Sequence, residues 1–332
     1  MPCPPVRDEE HLLARQGPAS PAGGVRGRPH GGGIGAGIAA IRRRGYGLGL
    51  GVLLAPYLLG TAALIVLPAI LAFALAFARY DALSPPIWVG FDNFRAVFRD
   101  PIFAIAVRNS FLFVLLAVPL RVLGALALAL LLARQRRGSG LYRAAIYLPT
   151  IIPEVPYALL WLWLLNPIYG PLNAVLRAVG LPAPAWLVDP DTALLALVLM
   201  AGFQLGEGFI VFLAGLQDIP GGLYDVAAID GSGPWRVFRA ITLPLLAPWL
   251  LLNTLRDIML SAQGTFAPAF IMTGGDPYYA TLFLPLHIYN VAFGSLRFGQ
   301  ATAMMLLLLL GVALLLLLVY YLLGGWGYDD DL

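Results

Sequence analysis

The sequence has 332 residues, of which 60% are hydrophobic and 12% are charged, with a formal net charge of +3. Soluble domains usually carry about 25% charged residues. A chain this apolar could not cover its surface in water, and we expect lipid to be its solvent. All 21 basic residues are arginine, whereas a Walker A loop needs a lysine on the nucleotide phosphates. A standard P-loop ATPase is therefore excluded on this chain.

Metal and disulfide chemistry are also disfavoured. Cys3 is the single cysteine, so an intrachain disulfide and a thiolate metal site are excluded. The three histidines, His11, His30 and His287, are scattered along the chain. We therefore expect no metal, no cofactor and no catalytic residue.

The N-terminal segment, residues 1–44, is rich in proline, glycine and arginine and has no hydrophobic periodicity. This composition predicts a disordered tail. No apolar core of suitable length follows its first charges, so it does not resemble a secretory signal. Residues 45–323 are predicted to form one transmembrane domain, and residues 324–332 an acidic C-terminal tail.

Six apolar runs are long enough to cross a bilayer, since a helical span needs about 20 residues. In chain order they are Leu48–Phe77, Asn109–Ala133, Ala144–Leu165, Ala193–Leu216, Pro244–Phe270 and Ala301–Leu323. Pro149, Pro153 and Pro156 interrupt the third run. We interpret it as a kinked helix, because neighbouring helices can satisfy the carbonyls that proline frees. The predicted fold class is an all-α polytopic membrane protein with six transmembrane helices.

Arginine placement predicts the orientation of these spans. Arginines precede the first span, fill the link between spans two and three, and recur between spans four and five, at Arg42–Arg44, Arg134, Arg136, Arg137, Arg143, Arg236 and Arg239. These three regions lie on one side of the predicted topology. The pattern favours both termini in the cytoplasm.

The most informative segment lies between the fourth and fifth runs. Leu223–Ile229 is predicted to form a short helix, which the Asp230-Gly231 pair ends because glycine readily adopts the left-handed conformation. A second helix after Pro234 places Trp235 and Phe238 on one stripe. Short helices are marginally stable alone. This segment should therefore dock on a partner or lie on the bilayer surface.

The segment resembles the cytoplasmic EAA loop of binding-protein-dependent importer permeases. The pattern is carried by Asp225-Val226-Ala227, Ala228-Ile229 and Asp230-Gly231-Ser232, followed by Phe238, Ile241, Pro244 and Pro248. Asp225 stands where the family has glutamate, and Val226 where it has alanine. We refer to residues 217–243 as the EAA-like segment.

Further fragments extend this resemblance from about Gly51 to Leu318. They are Gly90–Phe94, Arg108–Ser110, Leu148-Pro149, Trp161, Leu213–Gln217, Thr273–Gly275 and Phe298-Gly299. Each fragment alone is weak evidence for a family. Their order along the chain and their positions relative to the predicted spans resemble those of carbohydrate permeases related to the maltose and glycerol-3-phosphate importers.

The resemblance implies the pore-forming permease subunit of an ATP-driven sugar-class importer in the bacterial plasma membrane. Its implied partners are a second permease subunit, a cytoplasmic ABC ATPase dimer, an extracytoplasmic solute-binding protein and the lipid bilayer, with no nucleic acid. The EAA-like segment would be the coupling helix that enters a groove of the ATPase. The implied coupling residues are Tyr224, Asp225, Val226, Ala227, Ala228, Asp230, Gly231, Ser232 and Phe238. Trehalose, maltodextrin, a pentose, a polyol and glycerol-3-phosphate all remain open as substrates.

Several polar side chains lie inside the predicted spans, where a charge costs about 2.5–3.5 kcal/mol on insertion scales. One interpretation is a polar passage for sugar hydroxyls, lined by Gln204, Glu207, Asn253, Asp257, Gln263 and Glu154, with Trp161 stacking on a sugar face. The other is a set of ion pairs between helices, Arg256 with Glu207 and Arg121 with Glu154.

Two other function classes remain as alternatives. A proton-coupled secondary transporter could use Glu154, Glu207 and Asp257 as proton carriers. Such transporters often contain internal repeats and need no coupling loop, whereas this sequence shows no clear repeat and contains the loop. A membrane enzyme would need clustered catalytic residues at a membrane face, and the inner loops hold only Asp218, Asp225 and Asp230 without metal-ligand spacing.

Overall fold

A computed structural model describes residues 51–133 and 138–323, which are mostly helical. The predicted tails, residues 1–44 and 324–332, lie outside the described residues, as do Arg134, Arg136 and Arg137. The chain divides into two units between Val66 and Leu67. Residues 51–66 of the first unit are helical, and the second unit contains the functional sites described below.

The helices follow one another with short connections. They are α1 (Gly51–Leu75), α2 (Asp92–Arg99), α3 (Pro101–Leu132), α4 (Ser139–Ile151), α5 (Glu154–Leu164), α6 (Pro171–Ala178), α7 (Pro190–Gly202), α8 (Gly206–Asp218), α9 (Gly221–Ile229), α10 (Pro234–Leu245), α11 (Ala247–Gln263), α12 (Phe266–Met272), α13 (Leu284–Tyr289) and α14 (Phe298–Leu323). Two short strands, β1 (Ala78–Arg79) and β2 (Ile87–Trp88), pair antiparallel. Three stretches are π-helical, namely Ala62–Val66, Phe238–Thr242 and Asn290–Gly294.

Three of these helices, α1, α3 and α14, are each long and apolar enough to cross a membrane. The exposed side chains of α14 include a series of leucines, Leu309, Leu310, Leu314, Leu317 and Leu318. At the start of α3, the Asp100 side chain accepts a 2.9 Å hydrogen bond from the Ile102 N–H. This cap satisfies one of the backbone donors that a helix N-terminus leaves free.

The third predicted span is not a single kinked helix, and that interpretation was wrong. It consists of α4 and α5, which meet at an angle of 101°. Proline lacks a backbone N–H and its ring clashes with the preceding helical turn. The residue before Pro153, Ile152, is extended with φ −70° and ψ 125°, as steric contact with a following proline favours. Pro149 is accommodated inside α4.

The fourth and fifth predicted spans are also bent. α7 and α8 meet at 45°, and α10 and α11 meet at 64° around Leu246. The fifth run is interrupted a second time, because α11 ends at Gln263 and α12 begins at Phe266. Each bent pair passes the length and hydropathy requirements for a span only when its two helices are taken together.

Helix α3 is the central packing element of the second unit. It contacts α7, α8 and α11. Its small buried residues, such as Ala125 and Ala129, allow close approach to Phe209 and Phe212 of α8. Small residues at helix contacts favour packing in membranes, because lipid tails provide no hydrophobic drive for association. This packing places the polar residues of α3, α8 and α11 next to one another.

The connection after α1 is held by side-chain contacts to its backbone. Asn93 donates hydrogen bonds of 2.9 Å to the carbonyls of Ala76 and Ala78. At the start of α3, His287 Nε2 lies 3.2 Å from Asp100 Oδ2. Burial lowers the pKa of His287, and the neighbouring Asp100 carboxylate opposes that shift. These contacts hold α2 against the connection after α1, and α13 against the start of α3.

Candidate functional site

The EAA-like segment forms a helix, a tight turn and a second helix. Helix α9 ends in a turn in which the Ser232 N–H donates to the Ala227 carbonyl at 3.0 Å, and the Gly231 N–H to Ala228 at 3.2 Å. Gly231 has φ +66°, the left-handed conformation that ends many helices. A Cβ added at Gly231 would have no atom within 4 Å. The turn therefore uses the left-handed conformation that glycine adopts most readily, and it faces open space.

The EAA-like segment continues directly from α8 and leads into α11, and a hydroxyl–hydroxyl contact joins its own two helices. The Tyr224 hydroxyl lies 3.1 Å from the Thr242 hydroxyl, which links α9 to α10, and Ala227 is buried. A Cβ on Gly215 of α8 would lie 2.6 Å from Cδ1 of Trp249 on α11. The close approach of α8 and α11 behind the EAA-like segment therefore requires a glycine at this position.

The EAA-like segment carries several exposed apolar side chains. Val226 is 59% exposed, Ile229 85% and Trp235 71%. The rings of Trp235 and Phe238 are stacked with centroids 5.6 Å apart. Of the other predicted coupling residues, Asp225, Ala228 and Asp230 are exposed, while Ser232 and Phe238 are partly buried. Contiguous exposed apolar side chains mark interaction surfaces.

A cavity of about 600 Å³ lies between α3, α5, α8, α11 and α12. It falls within the range of roughly 300–1,000 Å³ that is typical of ligand sites. Five of the predicted passage residues line it, namely Glu154, Gln204, Glu207, Asp257 and Gln263. The structure thus brings together side chains from three predicted spans around one space.

Four charged side chains form a network at this cavity. Arg121 Nε lies 3.2 Å from Asp257 Oδ2, and Arg256 Nη1 lies 3.6 Å from Asp257 Oδ1. Arg256 also pairs with Glu207, and the Arg121 guanidinium donates to the Ser261 hydroxyl. The Arg121 and Asp257 side chains are largely buried, whereas Glu207 is 46% exposed. Two arginines and two carboxylates therefore balance their charges while joining α3, α8 and α11.

The predicted ion pairs are right in one case and wrong in the other. Arg256 pairs with Glu207 as one interpretation expected, but Arg121 pairs with Asp257 and not with Glu154. The reason is the break before Glu154, which turns α5 through 101° relative to α4. Glu154 instead lies at the first turn of α5 and faces the cavity.

Asn253 and Trp161 are placed differently from the other predicted passage residues. Asn253 is 2% exposed and lines a separate small cavity with Arg121, Gln204 and Asp257. Trp161 is 4% exposed and belongs to the hydrophobic core, and its ring packs edge-on against the exposed ring of Phe203. It does not belong to the cavity lining. The expected stacking of Trp161 on a sugar face therefore has no support in this structure.

Other residues line the cavity that the sequence analysis did not single out. Thr150 and Tyr157 stand on either side of the break between α4 and α5, and Phe266 begins α12. The Tyr157 hydroxyl donates a 2.8 Å hydrogen bond to the Met200 carbonyl. Pro153 could have indicated these residues from the sequence, because a helix break at a proline exposes the two helix ends that flank it.

Comparison with known proteins adds to this geometry. Residues 122–325 match the family model described as "Binding-protein-dependent transport system inner membrane component". The chain belongs to this family. The resemblance seen in the EAA-like segment is therefore confirmed, and the protein is an ABC transporter permease, a multi-pass membrane subunit of a transport system.

Curated relatives cover most of the permease. It is 34% identical over 256 residues to the "Probable ABC transporter permease protein YesP" of Bacillus subtilis (strain 168), and the matched region covers 76% of this chain and 82% of the relative. It is 33% identical over 262 residues to the "Sulfoquinovosyl glycerol transport system permease protein SmoG" of Agrobacterium fabrum, which covers 76% and 84%. It is 34% identical over 260 residues to the "sn-glycerol-3-phosphate transport system permease protein UgpA" of the same organism, which covers 76% and 86%.

Two solved structures share the fold of the permease. One is a bacterial ABC transporter involved in the import of the acidic polysaccharide alginate, with a TM-score of 0.74, 22% identity, and coverage of 86% of this chain and 99% of that chain. The other is a bacterial alginate ABC transporter in complex with an alginate pentasaccharide-bound periplasmic protein, with a TM-score of 0.72, 22% identity, and coverage of 85% and 95%.

Proposed function

We propose that this permease forms the translocation path of an ATP-driven sugar-class importer and couples through its EAA-like segment to a separate ATPase. One observation carries the proposal. The segment presents exposed apolar side chains and is continuous with α8 at one end and with α11 at the other. The same two helices contribute Glu207, Asp257 and Gln263 to the cavity. A displacement of the segment would therefore move the cavity walls directly.

The proposed topology has six spans, in which α1, α3 and α14 cross singly and the three bent pairs cross as broken helices. With both termini in the cytoplasm, the EAA-like segment faces the nucleotide side of the bacterial plasma membrane. Irregular backbone at membrane depth is tolerated where it lines a cavity. The break between α4 and α5 lies at the cavity, through Ile152 and Pro153, which supports this arrangement.

The polar groups at the cavity suit a hydroxyl-rich substrate. Glu207 and Asp257 form ion pairs with arginines. Glu154, Gln204 and Gln263 are therefore the groups that would form hydrogen bonds with substrate hydroxyls. The names of two relatives concern a sulfoquinovosyl glycerol and a glycerol phosphate, and these favour a carbohydrate or polyol here. The same ion pairs argue against proton carriage, since protonation of either carboxylate would break a contact with arginine.

The proposed assembly contains this permease, a second permease, an ATPase dimer and an extracytoplasmic solute-binding protein. The complex of an alginate transporter with its periplasmic protein supports the last of these partners by analogy. In this assembly the coupling residues, from Tyr224 to Phe238, would contact the ATPase. The domain would extend over residues 45–323.

The substitution Gly231→Asp tests the coupling role. Position 231 has open space around it, and aspartate tolerates the left-handed conformation better than most residues, so we expect the variant to insert and fold. The added charge should prevent docking of the apolar face in the ATPase groove. We expect the ATPase to be lost from the purified complex and ATP-driven uptake to be abolished.

Gly180→Asp is the matched control, because Gly180 also has a positive φ, +76°, and open space around it. It lies after α6, outside the EAA-like segment. This variant should retain both the ATPase and uptake. Normal co-purification and normal uptake in Gly231→Asp would contradict the coupling proposal.

A further inference from the structure

Six aromatic side chains form a continuous series of ring contacts that the proposed function does not use. The centroid distances are 5.5 Å for Phe266–Phe270, 5.6 Å for Phe270–Tyr289, 5.0 Å for Tyr289–Phe293, 5.7 Å for Phe293–Phe298 and 6.0 Å for Phe298–Tyr80. The rings come from α12, α13, the π-helical stretch after it, the start of α14 and the connection after α1. We call this series the aromatic ladder.

The aromatic ladder runs from the cavity to the connections that follow α1 and precede α14. Its first ring, Phe266, lines the cavity. Helix α11 leads away from the EAA-like segment over 17 residues before α12 begins. The last rings, Phe298 and Tyr80, lie in the connections where α14 starts and α1 has ended. The ladder therefore leads from the cavity to the proposed outer surface.

The exposed rings of the ladder differ from a lipid-facing surface. Phe270 is 50% exposed, Tyr289 36% and Phe293 61%. The exposed side chains of α14 are instead mostly leucine, and interfacial aromatic belts favour tryptophan and tyrosine over phenylalanine. Asn290, beside Tyr289, is exposed, and an amide in lipid would lack partners. These features indicate an aqueous passage.

The local backbone supports a functional surface at the same place. Residues Asn290–Gly294 form a π-helical stretch, and single-turn π-helices occur frequently at functional sites. This stretch supplies both Asn290 and the most exposed ring, Phe293. An amide next to an exposed ring gives one group for hydroxyls and one apolar face, which together match the two faces of a sugar ring.

We propose that the aromatic ladder binds the apolar faces of sugar rings as they pass between the outer surface and the cavity. The axial C–H groups of a pyranose or furanose pack on the ring faces while its hydroxyls keep their water. Successive weak sites allow a substrate to enter and leave. This inference rests on the proposed function and narrows it to ring sugars, in preference to acyclic substrates such as glycerol-3-phosphate.

The experiment uses the reassembled transporter, with both permeases, the ATPase and the binding protein, in proteoliposomes. ATP-driven uptake is measured with radiolabelled xylose, trehalose, maltotriose and glycerol-3-phosphate. The test variant replaces both Phe270 and Phe293 by leucine, and a second variant replaces both by tyrosine. Phe111→Leu is the matched control, since Phe111 is a 52% exposed phenylalanine of α3 outside the ladder.

We expect the double leucine variant to raise the KM for a transported ring sugar by about tenfold, the effect of losing two ring contacts of the strength that aromatic pairs show. The double tyrosine variant keeps the ring faces and should transport normally, as should Phe111→Leu. All variants should retain the second permease on purification. This combination would separate a passage role from a purely structural one.

Three outcomes would overturn the inference while leaving the importer proposal in place. They are normal uptake by the double leucine variant, loss of the second permease from that variant, which would make the ladder a subunit interface, and transport of glycerol-3-phosphate alone by the wild type. A wild-type permease that retains no ATPase on purification would instead contradict the importer proposal itself.

Discussion

The side chain of Asn109 on α3 donates a 2.7 Å hydrogen bond to the backbone carbonyl of Tyr279, 170 residues later in the chain. The same amide reaches the carbonyl of Leu282 at 3.2 Å, and the adjacent Ser110 hydroxyl accepts from the Leu284 N–H at 2.8 Å. Tyr279 has φ +63°, which is uncommon for a residue other than glycine. These bonds hold the connection between α12 and α13 against α3.

Replacing Asn109 by alanine should destabilise this connection. The change removes the Asn109 donor from the buried Leu282 carbonyl and from the Tyr279 carbonyl, which still accepts from the Leu282 N–H. An unsatisfied buried carbonyl costs about 1–3 kcal/mol. We expect a lower melting temperature for the detergent-solubilised permease and faster proteolysis between residues 273 and 283. Asn109→Asp keeps the shape but removes the donor, so it should be at least as destabilising. A melting temperature unchanged in both variants would show that these bonds contribute nothing to stability.

A second prediction concerns Gly299 at the start of α14. A Cβ at this position would lie 2.9 Å from Asn93 Nδ2 and 3.2 Å from the carbonyl carbon of Ala78, and it would overlap the Ala78 carbonyl oxygen. Gly299→Ala should therefore destabilise the permease by roughly 1–3 kcal/mol, as overpacking usually does. Gly311→Ala in the same helix meets no atom within 4 Å and should be neutral. Thermal unfolding in detergent compares the two, and equal melting temperatures would refute the steric argument.

The third prediction concerns the Arg121–Asp257 pair. Removing Asp257 leaves the largely buried Arg121 charge without a carboxylate, which typically costs about 3–5 kcal/mol. Removing Arg121 leaves the largely buried Asp257 with Arg256, at 3.6 Å, as its charge partner. We expect Arg121→Gln and Asp257→Asn each to destabilise the protein strongly, and the double variant to be less destabilised than the sum of the two. Unfolding free energies in a double-mutant cycle give the coupling. Strictly additive effects would mean that the two side chains do not stabilise each other.

The features that local sequence determines were predictable. Asp230-Gly231 predicted the end of α9, because the left-handed conformation is a property of the glycine itself. Residues on one helix were also placed together correctly, since Asn253 and Asp257, four apart on α11, line the same small cavity. The family was predicted from an ordered set of short motifs. One of them contains Gly299, which packs against the Ala78 carbonyl where a side chain would clash.

The features that depend on helix arrangement were not predictable. The partner of Arg121 is decided by which helices meet, and residue spacing along one helix carries no information about that. The three prolines of the third run suggested a kink but not which of them would break the helix. Trp161 resembled a ligand-binding aromatic because large rings serve both cores and binding sites, and only its burial distinguishes the two.

The long-range bonds of Asn109 and Ser110 bear on the order in which the molecule is made. Both side chains stand on α3 before the ribosome has added the residues that satisfy them, which end with Leu284. Until then, the side chains of Asn109 and Ser110 on α3 lack these hydrogen-bond partners. A chain that stalls or terminates before residue 279 lacks these partners, and such truncated products should be recognised by cellular quality control even though their first spans have inserted.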